Sequence, residues 1–180
     1  MTPTRTPTTA QAAAPATSPS DTPATAPPGG AQVQDQDLLL LDRQICFSLH
    51  AASRAFNGLY RVILKDLGLT YPQYLVLLVL WEHGELPVKQ LGEHLRLDSG
   101  TLSPLLKRLE AAGLVRRERS TQDERSVEIR LTEEGLALRE RALDVPRRIA
   151  TATGCDIAEL RDLKARLDDL TSRLDTALAK

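Results

Sequence analysis

Charge of one sign is what this sequence lacks: 23 basic side chains meet 24 acidic ones, leaving a formal net charge of -1. With a pI near 6.3, the whole-protein field gives no sign of a nucleic-acid partner, so any such contact must come from local basic clusters. Cysteine is nearly absent, with Cys46 and Cys155 standing 109 positions apart. In a reducing cytosol such a pair is not expected to be a permanent structural disulfide, so pairing would be an event. No apolar run precedes a cleavage site, and none reaches the roughly 18–20 residues of a membrane span. The expectation is a cytoplasmic protein without membrane attachment. A phosphate-binding glycine loop, a carboxylate pair and a nucleophilic serine motif are all missing, which argues against an enzyme and implies no cofactor. The histidines, His50, His83 and His94, are scattered without metal-ligand spacing, so no metal is expected.

What is present suits one domain and a tail. Residues 1–36 are Thr, Pro and Ala with hardly a large apolar side chain. They cannot bury enough surface to offset the entropy of ordering, and they read as a disordered extension. The domain is expected over 37–180.

From Leu38 to Leu67, apolar residues recur at steps of three and four through Ile45, Leu49, Phe56, Leu59 and Ile63, predicting one long helix that ends at Gly68. Thr70 with Gln73 forms a capping box, and Pro72 sits in the first turn of a second, nearly all-apolar helix that stops near Gly84. Pro87 opens a short helix to about Leu95. After the turn "RLD", Ser99 or Asp98 caps another helix to Ala112, with Gly113 behind it. Two short helices on a tight turn are a helix-turn-helix. "LVRRER" and "SVEIRLT" around the tip "STQDER" then predict a two-stranded hairpin. The whole reads as mainly α with a small β-hairpin wing, a winged helix-turn-helix over 86–131.

Thr132 begins a further helix to about Ala152, bent at Pro146. Asp156 and Glu159 cap a last helix carrying Ile157, Leu160, Leu163, Leu167, Leu170 and Leu174. The segments 37–85 and 132–180 flank the reading unit, and their apolar seams need partners. A symmetric homodimer built from both termini is the economical solution.

On the predicted recognition helix, Ser99, Thr101 and Ser103 offer short hydroxyls to phosphates or base edges, with Lys107 and Arg108 as longer donors one turn later. The hairpin adds Arg116, Arg117, Arg119 and Arg125. Arg125 at the tip suits a minor groove, with Asp123 placed to orient its guanidinium. Glu118, Asp123, Glu124 and Glu128 dilute this charge, so the hairpin alone also reads as a solvated surface.

The run "LDSGTLSPLLKRLEAAGLVRRERSTQDERSVEIRLTEEG" resembles the DNA-binding half of MarR-family repressors, and "CFSLHAASRAFNGLYRVILKDLGLTYPQYLVLLVLWE" resembles, more narrowly, the organic hydroperoxide-sensing OhrR branch. The similarity spans about residues 38–178. It implies a MarR-like dimer that binds double-stranded DNA at a palindromic operator. Oxidation of a cysteine by organic hydroperoxides would release the operator and derepress an organic hydroperoxide resistance gene.

Cys46 has two readings: a small apolar residue beside the Ile45/Leu49 stripe, or the redox sensor. A sensor must be a thiolate, and a free thiol with pKa about 8.5 is little ionised at neutral pH. A helix starting at Leu38 puts Cys46 about two turns in, beyond the reach of the helix dipole. Hydrogen-bond donors must then do the work, and the resemblance supplies Tyr60 and Tyr71 by position. Fourteen residues at about 1.5 Å each separate Cys46 from Tyr60 by about 21 Å on one straight helix, so they meet only across two subunits. Where some OhrR proteins have another tyrosine one turn after the cysteine, this chain has His50, either a thiolate partner or an exposed helix residue. The resemblance to two-cysteine members makes Cys155, in the flexible "TATGC" connection, the candidate resolving thiol of the other subunit. The alternative is a regulator that binds a small aromatic ligand in the dimer cleft among Phe47, Phe56, Tyr60, Tyr71 and Trp81, with Cys46 incidental.

Overall fold

The computed structural model describes residues 38–119 and 126–179. The expected tail and the wing-tip residues Asp123 and Arg125 lie outside them. The chain divides into a short unit ending at Arg43 and a larger one from Gln44 onward. In the first, Leu41–Arg43 forms a single 3-10 turn.

The larger unit holds seven α-helices and three short strands among the described residues. Helix α1 spans Ile45–Ile63 and continues as a 3-10 turn, Leu64–Leu67, which ends at Gly68 in the left-handed conformation, φ 67°. The expected start at Leu38 is therefore a correction. Gln44 is extended (φ -85°, ψ 111°) and is the N-cap of α1. Leu38 to Leu41 continue the three-four spacing, yet they are 48–88% exposed. A helix draws most of its stability from a packed face, and apolar spacing alone does not supply one.

Helix α2, Tyr71–His83, carries the expected capping box, with Gln73 accepting from the Thr70 amide at 2.8 Å. It buries Tyr74, Val76, Leu77 and Leu80. Strand β1, Leu86–Pro87, leads into α3, Val88–Leu95. Helix α4, Ser99–Ala111, is capped by Asp98 rather than Ser99. In the turn between α3 and α4, Arg96 takes a left-handed φ of 54°, and its Nη1 pairs with Asp175 Oδ2 at 2.6 Å.

Strands β2, Val115–Arg119, and β3, Val127–Leu131, form the expected hairpin. The sheet has a third member: β1 pairs antiparallel with β3, Leu86 opposite Ile129. Two residues are too few to show alternation, so the strand leaves no periodic signal. Its proline is tolerated at the sheet edge, where no donor is required.

Helix α5, Glu133–Ala142, and helix α6, Asp144–Thr153, replace the single bent helix. The break falls at Leu143, ahead of Pro146. A proline inside a helix lacks the N–H that would bond the carbonyl four residues back, here Ala142, and its ring crowds that carbonyl. Gly135, in α5, has no space for a side chain: an added Cβ would meet the Leu114 carbonyl oxygen. That approach seats α5 on the base of the wing, and the Gly135 carbonyl accepts from Trp81 Nε1 at 2.9 Å.

The last helix, α7, spans Ile157–Leu178 behind the Asp156/Glu159 capping box. It buries no residue, and α1 buries only Ile63. The core lies instead beneath the reading unit, where Leu77, Leu80, Leu91, Leu109 and Ile129 are fully enclosed.

Candidate DNA interface and thiol site

Asp98 shapes the front of α4. Its carboxylate accepts from the Thr101 amide and hydroxyl, each at 2.9 Å. Those bonds, the amide first, hold the Asp98 carboxyl below its ordinary 3.8. The hydroxyl of Thr101 thus spends its proton on the helix cap, leaving its oxygen as an acceptor. Leu102, Leu106 and Leu109 lock the opposite side of α4 into the core, with Leu105 partly covered.

Ser99 and Ser103 border a cleft of about 370 Å³ together with Arg117, Lys89 and Ser126. Helix α4 and the hairpin therefore converge on one concave surface, where Val88, Leu106 and Val127 lie among the polar side chains. Lys89 and Ser126 escaped the sequence reading because they lie at the ends of other elements, with no local pattern to mark them. Lys107 and Arg108 are exposed and form no ion pair with the described residues. Arg117 is tied to Glu110 of α4 at 3.2 Å, and Arg116 to Glu118 at 2.9 Å. Dilution of the hairpin's charge thus takes the form of specific pairs.

Cys46 stands in the first turn of α1 and is exposed. The first-turn backbone N–H groups have no helical partner, and the positive end of the helix dipole favours an anion there. The start at Ile45 thus puts Cys46 in the first turn rather than two turns in. His50 follows one turn later and is exposed.

Tyr60 and Tyr71 come together although eleven residues separate them, because the chain turns at Gly68. Their rings stack with centroids 4.2 Å apart. Tyr74, which the sequence reading left in the core, lies 6.1 Å from Tyr60 and extends the cluster. Burial pushes the Tyr60 hydroxyl from 10.0 up to about 12, with Tyr71 and then Tyr74 adding to it. Burial likewise raises Tyr71 and Tyr74. At neutral pH these hydroxyls keep their protons and are donors. Cys46 and Tyr60 occupy opposite ends of α1, so this chain does not bring thiol and tyrosines together.

Cys155 is half-buried at the joint between α6 and α7, directly after Gly154 in the left-handed conformation. Its Sγ lies 3.6 Å from the Thr153 carbonyl oxygen, and its amide donates to Thr153 Oγ1 at 3.5 Å. His83 and His94, far apart in sequence, stack with centroids 4.5 Å apart. No group of His, Cys, Asp and Glu among the described residues is arranged to hold a metal. No single described helix is long and apolar enough to cross a membrane.

The family described as Transcriptional regulator SarA/Rot matches residues 58–141. The organic hydroperoxide resistance transcriptional regulator of Bacillus subtilis is 49% identical over 138 residues, 77% of this chain and 94% of that protein. Among solved structures, reduced AbfR bound to DNA superposes with a TM-score of 0.71 at 37% identity, covering 81% of this chain and 99% of AbfR, a Staphylococcus epidermidis protein. Disulfide-formed AbfR superposes at 0.56 with 39% identity, covering 81% of this chain and 97% of that one. These relatives are transcriptional regulators, not enzymes, and the chain belongs with them to the MarR-type winged-helix regulators, in the branch of the organic hydroperoxide resistance regulators.

Proposed function

We propose that this chain is a homodimeric repressor that binds a palindromic operator and releases it when an organic hydroperoxide oxidises Cys46. The observation that carries the reading is the division of the thiol site along α1. An exposed cysteine starts the helix, and a pair of protonated tyrosine hydroxyls waits at its far end, out of reach within one chain. Two antiparallel copies of α1 would set each Cys46 against the partner's tyrosines. The uncovered apolar faces support such pairing: Ile45, Val62, Ile157 and Leu174 are each more than half exposed.

In the proposed reaction the Cys46 thiolate attacks the terminal peroxide oxygen, the O–O bond breaks, and the alcohol leaves with a proton. Sulfur is left as sulfenic acid. The thiol of Cys155 from the second subunit condenses with it, forming the disulfide and releasing water. In this reading Tyr60 and Tyr71 hold the thiolate, and His50, one turn along, would assist as a further partner. Drawing the start of α7 toward Cys46 would shift the seam between subunits and with it the spacing of the two α4 helices. Half-sites lie about 34 Å apart per turn of B-DNA, so a small change in that spacing weakens binding. Ser99, Thr101, Ser103, Lys107, Arg108 and Arg117 would meet the DNA, with Asp123 and Arg125 at the wing tip. Support comes from AbfR, solved both bound to DNA in reduced form and with a disulfide formed.

The test mixes isotopically light and heavy chains, oxidises them with one equivalent of cumene hydroperoxide and maps the cross-linked peptides. A Cys46–Cys155 peptide with one half of each label supports the reading. If the cross-linked peptides are all of one label, with no mixed species although the subunits have exchanged, the intersubunit step is contradicted.

A second reading, the small aromatic ligand, is favoured by one observation, a pocket of about 450 Å³ lined by Tyr74, Leu78, Trp81, Glu82, Arg139 and Pro146, which shares only Trp81 with the expected dimer-cleft set. Its size and aromatic walls suit a small aromatic ligand. Under that reading Cys46 is incidental, and a Cys46→Ser chain would still respond to such ligands.

A further inference from the structure

The wing hairpin brings like charges face to face twice. Arg116 on β2 is directly opposite Arg130 on β3, and Glu118 is opposite Glu128. Direct opposition of like charges destabilises a sheet, so this register needs compensation. Glu118 supplies part of it, with one carboxylate oxygen 2.9 Å from Arg116 Nε and the other 3.3 Å from Arg130 Nε. Glu85, in the connection between α2 and β1, reaches the same Arg130 Nε at 2.6 Å, and Glu128 reaches Arg130 Nη2 at 3.6 Å. That Nε is closed to solvent and aligned for ion pairing rather than for a directed hydrogen bond. Two guanidinium groups among three carboxylates leave no spare positive charge for a phosphate.

Side chains alternate across a strand, so the other face of β2 carries Val115, Arg117 and Arg119. Arg117 on that face meets Glu110 of α4 and borders the cleft with Ser99 and Ser103. The hairpin is thus sorted electrically. One face is turned to the recognition helix, and the other is self-neutralised and bound to the end of α2 through Glu85.

We propose that Arg130 is a positioning residue for DNA binding: it fastens the wing to the α2–β1 connection, sets the hairpin's angle to α4, and makes no phosphate contact itself. The inference rests on the DNA-binding reading above. Nothing in the local pattern of "SVEIRLT" separates Arg130 from a DNA-contacting arginine; only the strand register and Glu85, distant in sequence, do so.

The experiment uses full-length chain, an operator recovered by selection from random duplexes, and the Arg130→Gln and Arg130→Lys variants. Affinity is followed over a salt series, and hydroxyl-radical footprints are recorded. Arg130→Gln is expected to weaken binding about tenfold with the slope of log K against log salt unchanged, whereas loss of a phosphate contact lowers that slope by about 1. Protection at the operator flanks should fade while the centre stays protected, and Arg130→Lys should restore part of it. A slope lowered by about 1 overturns the proposal by making Arg130 a phosphate contact. Unchanged affinity overturns it, as does loss of centre and flanks together with a lowered melting midpoint, which would mark a role in stability alone. If wild type leaves no footprint on any duplex, the DNA-binding reading itself fails.

Discussion

Cys46 and Tyr60 lie near opposite ends of one helix, α1, fourteen residues apart. At about 1.5 Å per residue the helix holds them about 21 Å from each other. Any contact between that sulfur and that hydroxyl belongs to an assembly of two chains. In the proposed dimer, the stacked Tyr60 and Tyr71 rings would be the donor pair for a partner's thiolate. Tyr60→Phe keeps the ring and removes the donor. A hydrogen bond to a charged group contributes about 1.5–3 kcal/mol. Oxidation of Cys46 by cumene hydroperoxide should slow by about tenfold or more, read by stopped-flow loss of free thiol.

The tyrosine cluster also sets a limit at alkaline pH. In the folded chain the Tyr60 hydroxyl titrates at about 12, above the 10.0 of an exposed tyrosine. The unfolded chain therefore loses its proton first as pH rises. The stability this group contributes is complete below pH 10.0 and is lost on the way up to about 12. Denaturant midpoints should fall over that window, and the fall should be smaller in Tyr60→Phe.

The exposed leucines of α7 are expected to close the dimer. Leu163 and Leu167 are 47% and 38% exposed on a helix that buries nothing. Leu167→Glu would place a charge in that seam, and analytical ultracentrifugation should show a shift toward monomer with helix content retained.

Stability should reside in the reading unit rather than in the outer helices. Leu109 is fully enclosed on α4, and truncating such a leucine costs about 2–5 kcal/mol. Leu109→Ala should lower the urea midpoint accordingly, while Leu174→Ala, 54% exposed in the single chain, should act mainly through dimer dissociation.

Much of the reading unit was legible because its signals are local. Asp98 at the front of α4, Gly113 behind it and the alternation of β2 and β3 each depend on a few neighbouring residues. What was not legible depends on distance. The start of α1 was misplaced because Leu38 and Leu41 keep helical spacing, and spacing does not reveal whether anything covers them. The break before Pro146 was placed too late because a proline disturbs the helix four residues upstream. Pairing of Arg117 with Glu110 and of Arg130 with Glu85 follows from how strands and helices meet. The meeting of Tyr60 with Tyr71 needs the turn at Gly68 as well as the residues themselves. In the candidate thiol site the residues could be named, but the helix-end position of Cys46 could not.

Under the proposed function, Cys46 oxidation governs DNA release. Its most direct test is operator binding by fluorescence anisotropy for wild type and Cys46→Ser, before and after one equivalent of cumene hydroperoxide. Both should bind when reduced, wild type should release the operator on oxidation and regain it with dithiothreitol, and Cys46→Ser should stay bound throughout. Release by the Cys46→Ser chain at the same peroxide dose, or no release by wild type, would contradict it.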